Sequence, residues 1–323
     1  MWQFLVDMMP YALAFTAPLL ITALGGLFSE RSGVVNIGLE GLMLIGAFTT
    51  ALFINFTYGV NGNDFASTTL MIWLGILVGA AVAGIFSLLH AYASINLKAD
   101  QVISGTAINL LAPALTIFLA RTLTGSQNIN IVKGVSRLDV PFLSEIPVLG
   151  PLFFSKAYAT TFIALFLVFI TWYVVFKTSF GLRLRACGEH PQAADSMGIN
   201  VYKMRYFGVI ASGFLAGLGG AVFIVTTSGE FNGSVAGLGF LALAALIFGK
   251  WNPWTVLGAA FFFGFMKTLG QLALINDTLK SFEIPMEFYN ALPYVMTLIA
   301  LVVFSRNIVG PKAAGEPYDP GKR

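Results

Sequence analysis

Few polar side chains interrupt the apolar stretches of this 323-residue chain, and they limit the chemistry it can perform. Asn36 and Glu40 stand four residues apart, which places them on one face of a helix. A carboxylate in an apolar run is costly, so Glu40 must face protein, face a watery path or be protonated. Asn109 forms a second polar cluster with Ser104 and Thr106, and Lys267 with Gln271 forms a third. Amide and carboxylate groups at such positions can satisfy a polar solute in passage. They can equally bond to neighbouring helices and never meet one. Asn36, Glu40 and Asn109 are the candidate pathway residues, whereas the structural reading prevails for Lys267.

Catalytic constellations do not assemble. The only histidines, His90 and His190, fall in separate segments, and the only cysteine, Cys187, sits in a basic loop with no metal-ligand spacing around it. No G-x-x-x-x-G-K-[ST] loop exists, because Gly249-Lys250 is followed by Trp251. The expectation is a protein without catalytic residues, without a metal and without a nucleotide of its own. Cys187 is expected to be inert.

The elements that must position these groups are membrane helices. A chain that is 57% hydrophobic, 10% charged and has a mean hydropathy of +0.82 cannot bury that much apolar surface in one water-soluble core. Apolar runs suited to crossing lie at about 10–28, 34–56, 69–95, 102–120, 159–177, 204–227 and 254–275. Shorter runs at 235–249 and 289–304 are ambiguous, and glycines 233, 237 and 239 suggest that the first is a broken or re-entrant piece buried in protein. The expected fold is therefore an all-α integral membrane bundle of about nine to ten spans, a single domain over 1–323. Spacings such as Gly75-x-x-x-Gly79 and Gly213-x-x-x-Gly217 read as close-packing devices between helices. Glu30-x-x-Gly33-x-Val35 recurs as Glu230-x-x-Gly233-x-Val235 in the opposite orientation, a faint sign of an inverted repeat.

Orientation follows from the basic residues of the loops. With the 177–205 loop in the cytosol, the inside receives Arg31, Lys98, the loop's own Lys177, Arg183, Arg185, Lys203 and Arg205, then Lys250, Arg306, Lys312, Lys322 and Arg323. The outside holds only Arg121, Lys133, Arg137, Lys156 and Lys280. This places the protein in the plasma membrane with a cytosolic C-terminus. The extracellular loop 121–158 carries Pro141, Pro147 and Pro151, which argues for short ordered elements. It could meet an external partner or simply cover helix ends.

Within the cytosolic loop 178–204 runs Glu189-His190-Pro191-Gln192-Ala193-Ala194-Asp195-Ser196-Met197-Gly198. Pro191 suits a first helical turn and Gly198 a stop, so about two turns of helix with a small Ala193/Ala194 face are predicted, flanked by Glu189 and Asp195. Such a helix can dock into a partner's groove, or it can cap the bundle.

Gln192-Ala193-Ala194-x-x-x-Gly198 resembles the EAA-x-x-x-G coupling loop of ABC importer permeases, although Gln replaces Glu and the downstream I-x-L-P part is absent. Four longer stretches, 30–41 (ERSGVVNIGLEG), 99–110 (ADQVISGTAINL), 181–189 (GLRLRACGE) and 212–217 (SGFLAG), resemble permeases of the branched-chain amino acid, ribose and simple-sugar ABC importers. Within these the nearest likeness is to the nucleoside branch, and it covers nearly the whole chain. The resemblance implies a vitamin B12 importer-like fold and a second, similar permease. It implies an ABC ATPase below that holds ATP and Mg, and an extracytoplasmic binding protein or lipoprotein above; no nucleic acid is involved. It also implies that Glu189, His190, Pro191, Gln192, Ala193, Ala194, Asp195 and Gly198 couple to the ATPase. Import of ribose, galactose or branched-chain amino acids is the near alternative, an ion-coupled secondary transporter the distant one, and a membrane enzyme more distant still.

Overall fold

The computed structural model describes residues 2–61, 65–131, 133–272, 285–304 and 310–321. Helices dominate: α1 (Trp2–Arg31), α2 (Leu39–Asn61), α3 (Phe65–Phe86), the single turn α4 (Leu88–Ala91), α5 (Gln101–Thr124), α6 (Ala159–Lys177), α7 (Ser179–Glu189), α8 (Pro191–Ser196), α9 (Val201–Phe223), α10 (Leu238–Phe248), α11 (Pro253–Leu272) and α12 (Met286–Phe304). Among the described residues, six stretches are long and apolar enough to cross a bilayer: 2–31, 39–57, 68–96, 101–124, 159–177 and 201–228. The chain is a multi-pass membrane protein. As the flanking glycines suggest, α10 is a short helix of 11 residues, packed through Leu238, Leu241, Ala242, Ala245 and Leu246.

Two starts differ from the hydropathy reading: α1 begins at Trp2, ahead of the run from 10, and α2 begins later than its run. The apolar run from 34 does not start as helix, because residues 32–38 form a turn and α2 begins only at Leu39. Hydropathy measures transfer and is blind to backbone direction, so an apolar turn buried in protein reads as span. Residues 273–275 of another run, and Lys280, Arg306, Lys322 and Arg323 of the charge pattern, lie outside the described residues.

The core is a glycine seam around α1 and α9. These two run antiparallel: Gly208 faces Ser32 and Phe28, Gly25 faces Ser212, and Gly219 faces Thr22 and Pro18. On the other side of α9, Gly217 meets Gly46, Ala83 and Gly79, and Gly213 meets Ser87. Lipid tails are as apolar as leucine, so close backbone approach and dispersion hold such helices together. The glycine pairs singled out in the sequence serve this packing.

The faint repeat has a structural counterpart. α1, a turn and α2 correspond to α9, a turn and α10. Gly33 (φ 95°) and Gly233 (φ 82°) both adopt the left-handed backbone that glycine alone enters without strain. α1 and α9 run antiparallel, the relation that an inverted repeat would give its first helices.

The 121–158 loop is ordered by two antiparallel strand pairs, β1 (Ile129–Asn130) with β4 (Glu230–Phe231) and β2 (Arg137–Leu138) with β3 (Ala157–Tyr158). The Val135 N–H donates to the Val225 carbonyl, and the Arg137 guanidinium lies 4.4 Å over the Tyr11 ring. The loop is thus tied to the start of α1 and the end of α9. At the far end of α1, Arg31 lies with the 178–204 loop and residues 310–313, on the opposite face of the bundle.

Candidate functional site

Two helix N-termini meet inside the bundle, and Glu40 joins them. From the first turn of α2 its carboxylate accepts the Gly237 N–H at 3.1 Å and the Gly239 N–H at 2.7 Å, at the start of α10. The first N–H groups of a helix have no internal partner and form its positive end, so a carboxylate there meets both needs away from water. A Cβ on Gly239 would stand 2.5 Å from Glu40 Cα, so only glycine permits this approach. Lys267 of α11 donates to the Ala236 carbonyl at 3.2 Å and holds the same break from the other side. Gln271 is exposed on α11.

The start of α2 is clasped as firmly. Asn36 is fully buried; its amide donates to Ser212 Oγ at 3.0 Å and accepts the Gly38 N–H at 3.1 Å. Asn109 of α5 accepts the Gly41 N–H at 2.8 Å and donates to the Ile37 carbonyl at 2.9 Å. Asn36 therefore faces protein, whereas Glu40 and Asn109 are only partly buried. Ser104 bonds His90, and Thr106 bonds its own helix at Val102. Gln101, His90 and Ser212 belong to this clasp without having been singled out by sequence. Gln101 accepts the Val35 N–H at 2.7 Å, and His90 Nε2–H donates to the Val35 carbonyl at 3.0 Å, leaving Nδ1 to accept from Ser104. For Gln101 and His90 the signal was absent because Val35 meets them with backbone groups, which any sequence supplies, and Ser212 meets Asn36 only across 176 residues.

The loop on the other face forms two short helices. Thr178 caps α7 by accepting the Gly181 N–H at 3.1 Å. Non-helical His190 separates α7 from α8, Pro191 opens α8, and Gly198 ends it at φ 78°. The Ala193/Ala194 face does not exist as predicted. Adjacent helical residues point about 100° apart, so Ala194 is buried with Cys187, Val201 and Tyr318, while Ala193 is exposed beside Gln192, Ser196 and Met197. Glu189 turns back to the bundle, 3.9 Å from Arg31 Nη1, and Asp195 lies near Tyr318. Burial pushes the Cys187 thiol up to about 11, with Arg205 pulling the other way, so it is an unreactive thiol at neutral pH.

The bundle thus holds a polar break at the start of α2 and α10, and a polar loop with two short helices at the end of α1. The family model described as branched-chain amino acid transport system, permease component, matches residues 8–301. The chain belongs to that permease family. The permease is similar to the guanosine ABC transporter permease protein NupQ of Bacillus subtilis, with 49% identity over 99% of both chains. It is also similar to the nucleoside ABC transporter permease protein NupC of Lactococcus lactis, with 46% identity over 95% of this chain and 94% of that one. A more distant relative is the guanosine permease protein NupP of Bacillus subtilis, 25% identical over 89% of this chain and 78% of that one. The permease is thus a transport subunit and not an enzyme.

Proposed function

We propose that the permease is a membrane subunit of an ATP-driven ABC importer that takes up nucleosides. The observation that carries this is identity near one half, along nearly the full length, to permeases named for guanosine and for nucleosides. In this reading the permease pairs with a second permease of the same family. The existence of both NupQ and NupP in one organism supports a heterodimer. The face bearing α7 and α8 lies in the cytosol together with the C-terminus. Its basic residues Arg31, Lys98, Arg183, Arg185, Lys203 and Arg205 support that side.

The ATPase docks on the exposed face of α8, Gln192, Ala193, Ser196 and Met197, and an extracytoplasmic binding protein delivers solute at the other face. Closure of the ATPases moves α8, and the helices reorient by alternating access. Glu40 and Asn109 line the path, where ribose hydroxyls and base edges exchange hydrogen bonds with them, and Asn36 holds the turn from behind.

The test is uptake of labelled guanosine and uridine in cells with and without the gene, with excess ribose and leucine as competitors. Loss on deletion, uncompeted by ribose or leucine, is the expected result. Unchanged nucleoside uptake in a host without a redundant carrier refutes it.

A further inference from the structure

Residues 310–321 lie across the 178–204 loop and touch each of its helices. The Ala313 N–H donates to the Gly188 carbonyl at 2.9 Å, and the Lys312 N–H to the Glu189 carboxylate at 3.5 Å, both at the end of α7. Tyr318 is 4% exposed and packs with Cys187, Ala194 and Val201. Its ring stands edge-on to Tyr202 with centroids 5.5 Å apart, and its hydroxyl lies toward Asp195 of α8, where burial and then the Asp195 charge raise its pKa. Beneath it, Arg205 of α9 is 1% exposed and donates Nη1 to the Glu316 carbonyl at 2.9 Å. Asp319 reaches Lys98 at 3.3 Å, in the turn before α5.

Two physical points give these contacts a direction. A helix of six residues has no stability of its own and keeps its place only through packing. Pro191 and Ala194 are the buried side chains of α8, and Ala194 leans on Tyr318. Second, a buried guanidinium without a carboxylate is expensive. Arg205 is held under the tail by a carbonyl and the Tyr318 ring, with Nε and Nη2 finding no acceptor among the described residues. The tail therefore completes both the α8 packing and the Arg205 site.

We propose that residues 310–321 are a strap that makes α8 and the start of α5 move together, with Tyr318 and Asp319 as positioning residues for the coupling helix and Arg205 as their anchor. This rests on the reading of α8 as the ATPase-docking element. Displacement of α8 passes through Tyr318 and Asp319 to Lys98 and α5. That helix carries Gln101 and Asn109, which grip the turn before α2. The strap thus links the cytosolic face to the polar break.

The test uses the complete importer in proteoliposomes, reading guanosine transported per ATP hydrolysed. The variants are Tyr318→Ala, Tyr318→Phe, Asp319→Lys, Asp319→Lys with Lys98→Asp, and Ala193→Glu as a control for docking. Tyr318→Ala is expected to lower the ratio by about fivefold or more while ATP hydrolysis persists, a split that mere loss of folded protein does not produce. Tyr318→Phe keeps the ring and recovers most of the ratio, and the charge swap recovers what Asp319→Lys loses. Maleimide labelling of Cys187, the chain's only cysteine, should rise about tenfold or more in Tyr318→Ala as the cover over the thiol leaves. An unchanged ratio in Tyr318→Ala, with Ala193→Glu still uncoupled, overturns the strap and spares the docking reading. A proportionate fall of transport and hydrolysis, unrescued by Tyr318→Phe, reduces the tail to a structural part and also overturns it. An unaffected Ala193→Glu removes the docking reading and the strap's coupling role with it.

Discussion

Glu40 illustrates what a single residue reveals and what it hides. Its cost in an apolar run was legible in the sequence, and so was its need for a partner. The partners were not, because they are the backbone amides of Gly237 and Gly239, with sequence separations of 197 and 199. Each charge-assisted bond of this kind contributes about 1.5–3 kcal/mol. Glu40→Gln keeps one acceptor oxygen and loses the charge, so nucleoside uptake should fall about tenfold while the protein still accumulates in the membrane, as membrane immunoblots beside uptake would report. Parallel loss of protein and uptake would make Glu40 a purely structural cap. Asn36 and Asn109 differ in the same assay: Asn36→Ala strands the buried Ser212 and Gly38 groups and should reduce accumulation first.

At the scale of elements, periodicity and hydropathy located the long helices because the bilayer imposes length and apolarity on them. They did not locate the turn at 32–38, whose apolar composition matches that of a span, nor the direction in which each alanine of α8 points. The corrected geometry separates two variants that the sequence treats alike. Ala193→Glu places a carboxylate in solvent and should change stability by no more than about 0.5 kcal/mol while uptake is lost. Ala194→Glu buries a charge against Cys187 and Tyr318, which costs several kcal/mol and should lower the amount of protein recovered. Size-exclusion yield and uptake, measured together, distinguish them. The glycine seam gives a third expectation. Gly217→Val drives a branched side chain into Ala83 and the Gly79 carbonyl, and overpacking of that kind costs about 1–3 kcal/mol or more. It should lower the apparent melting temperature in detergent, whereas Gly258→Val, where a Cβ meets nothing within 4 Å, should leave it unchanged.

For the molecule as a whole, the basic residues sort onto the face that carries the 178–204 loop and residues 310–321, so a tag after the C-terminus should be protease-sensitive only in inside-out vesicles. Sensitivity in intact cells would invert the topology. The Glu30 and Glu230 echo in the sequence has one structural parallel, the positive φ of Gly33 and Gly233. That architecture also has a consequence for how the chain is made. Glu40 enters the membrane with the first half, and the amides that receive it are synthesised 197 residues later. At about 5–20 residues per second that is a wait on the order of 10–40 s. During the wait the carboxylate must be held by the translocation machinery, by water at its mouth or by a proton. The carboxylate therefore gains its native partners only after α10 has arrived.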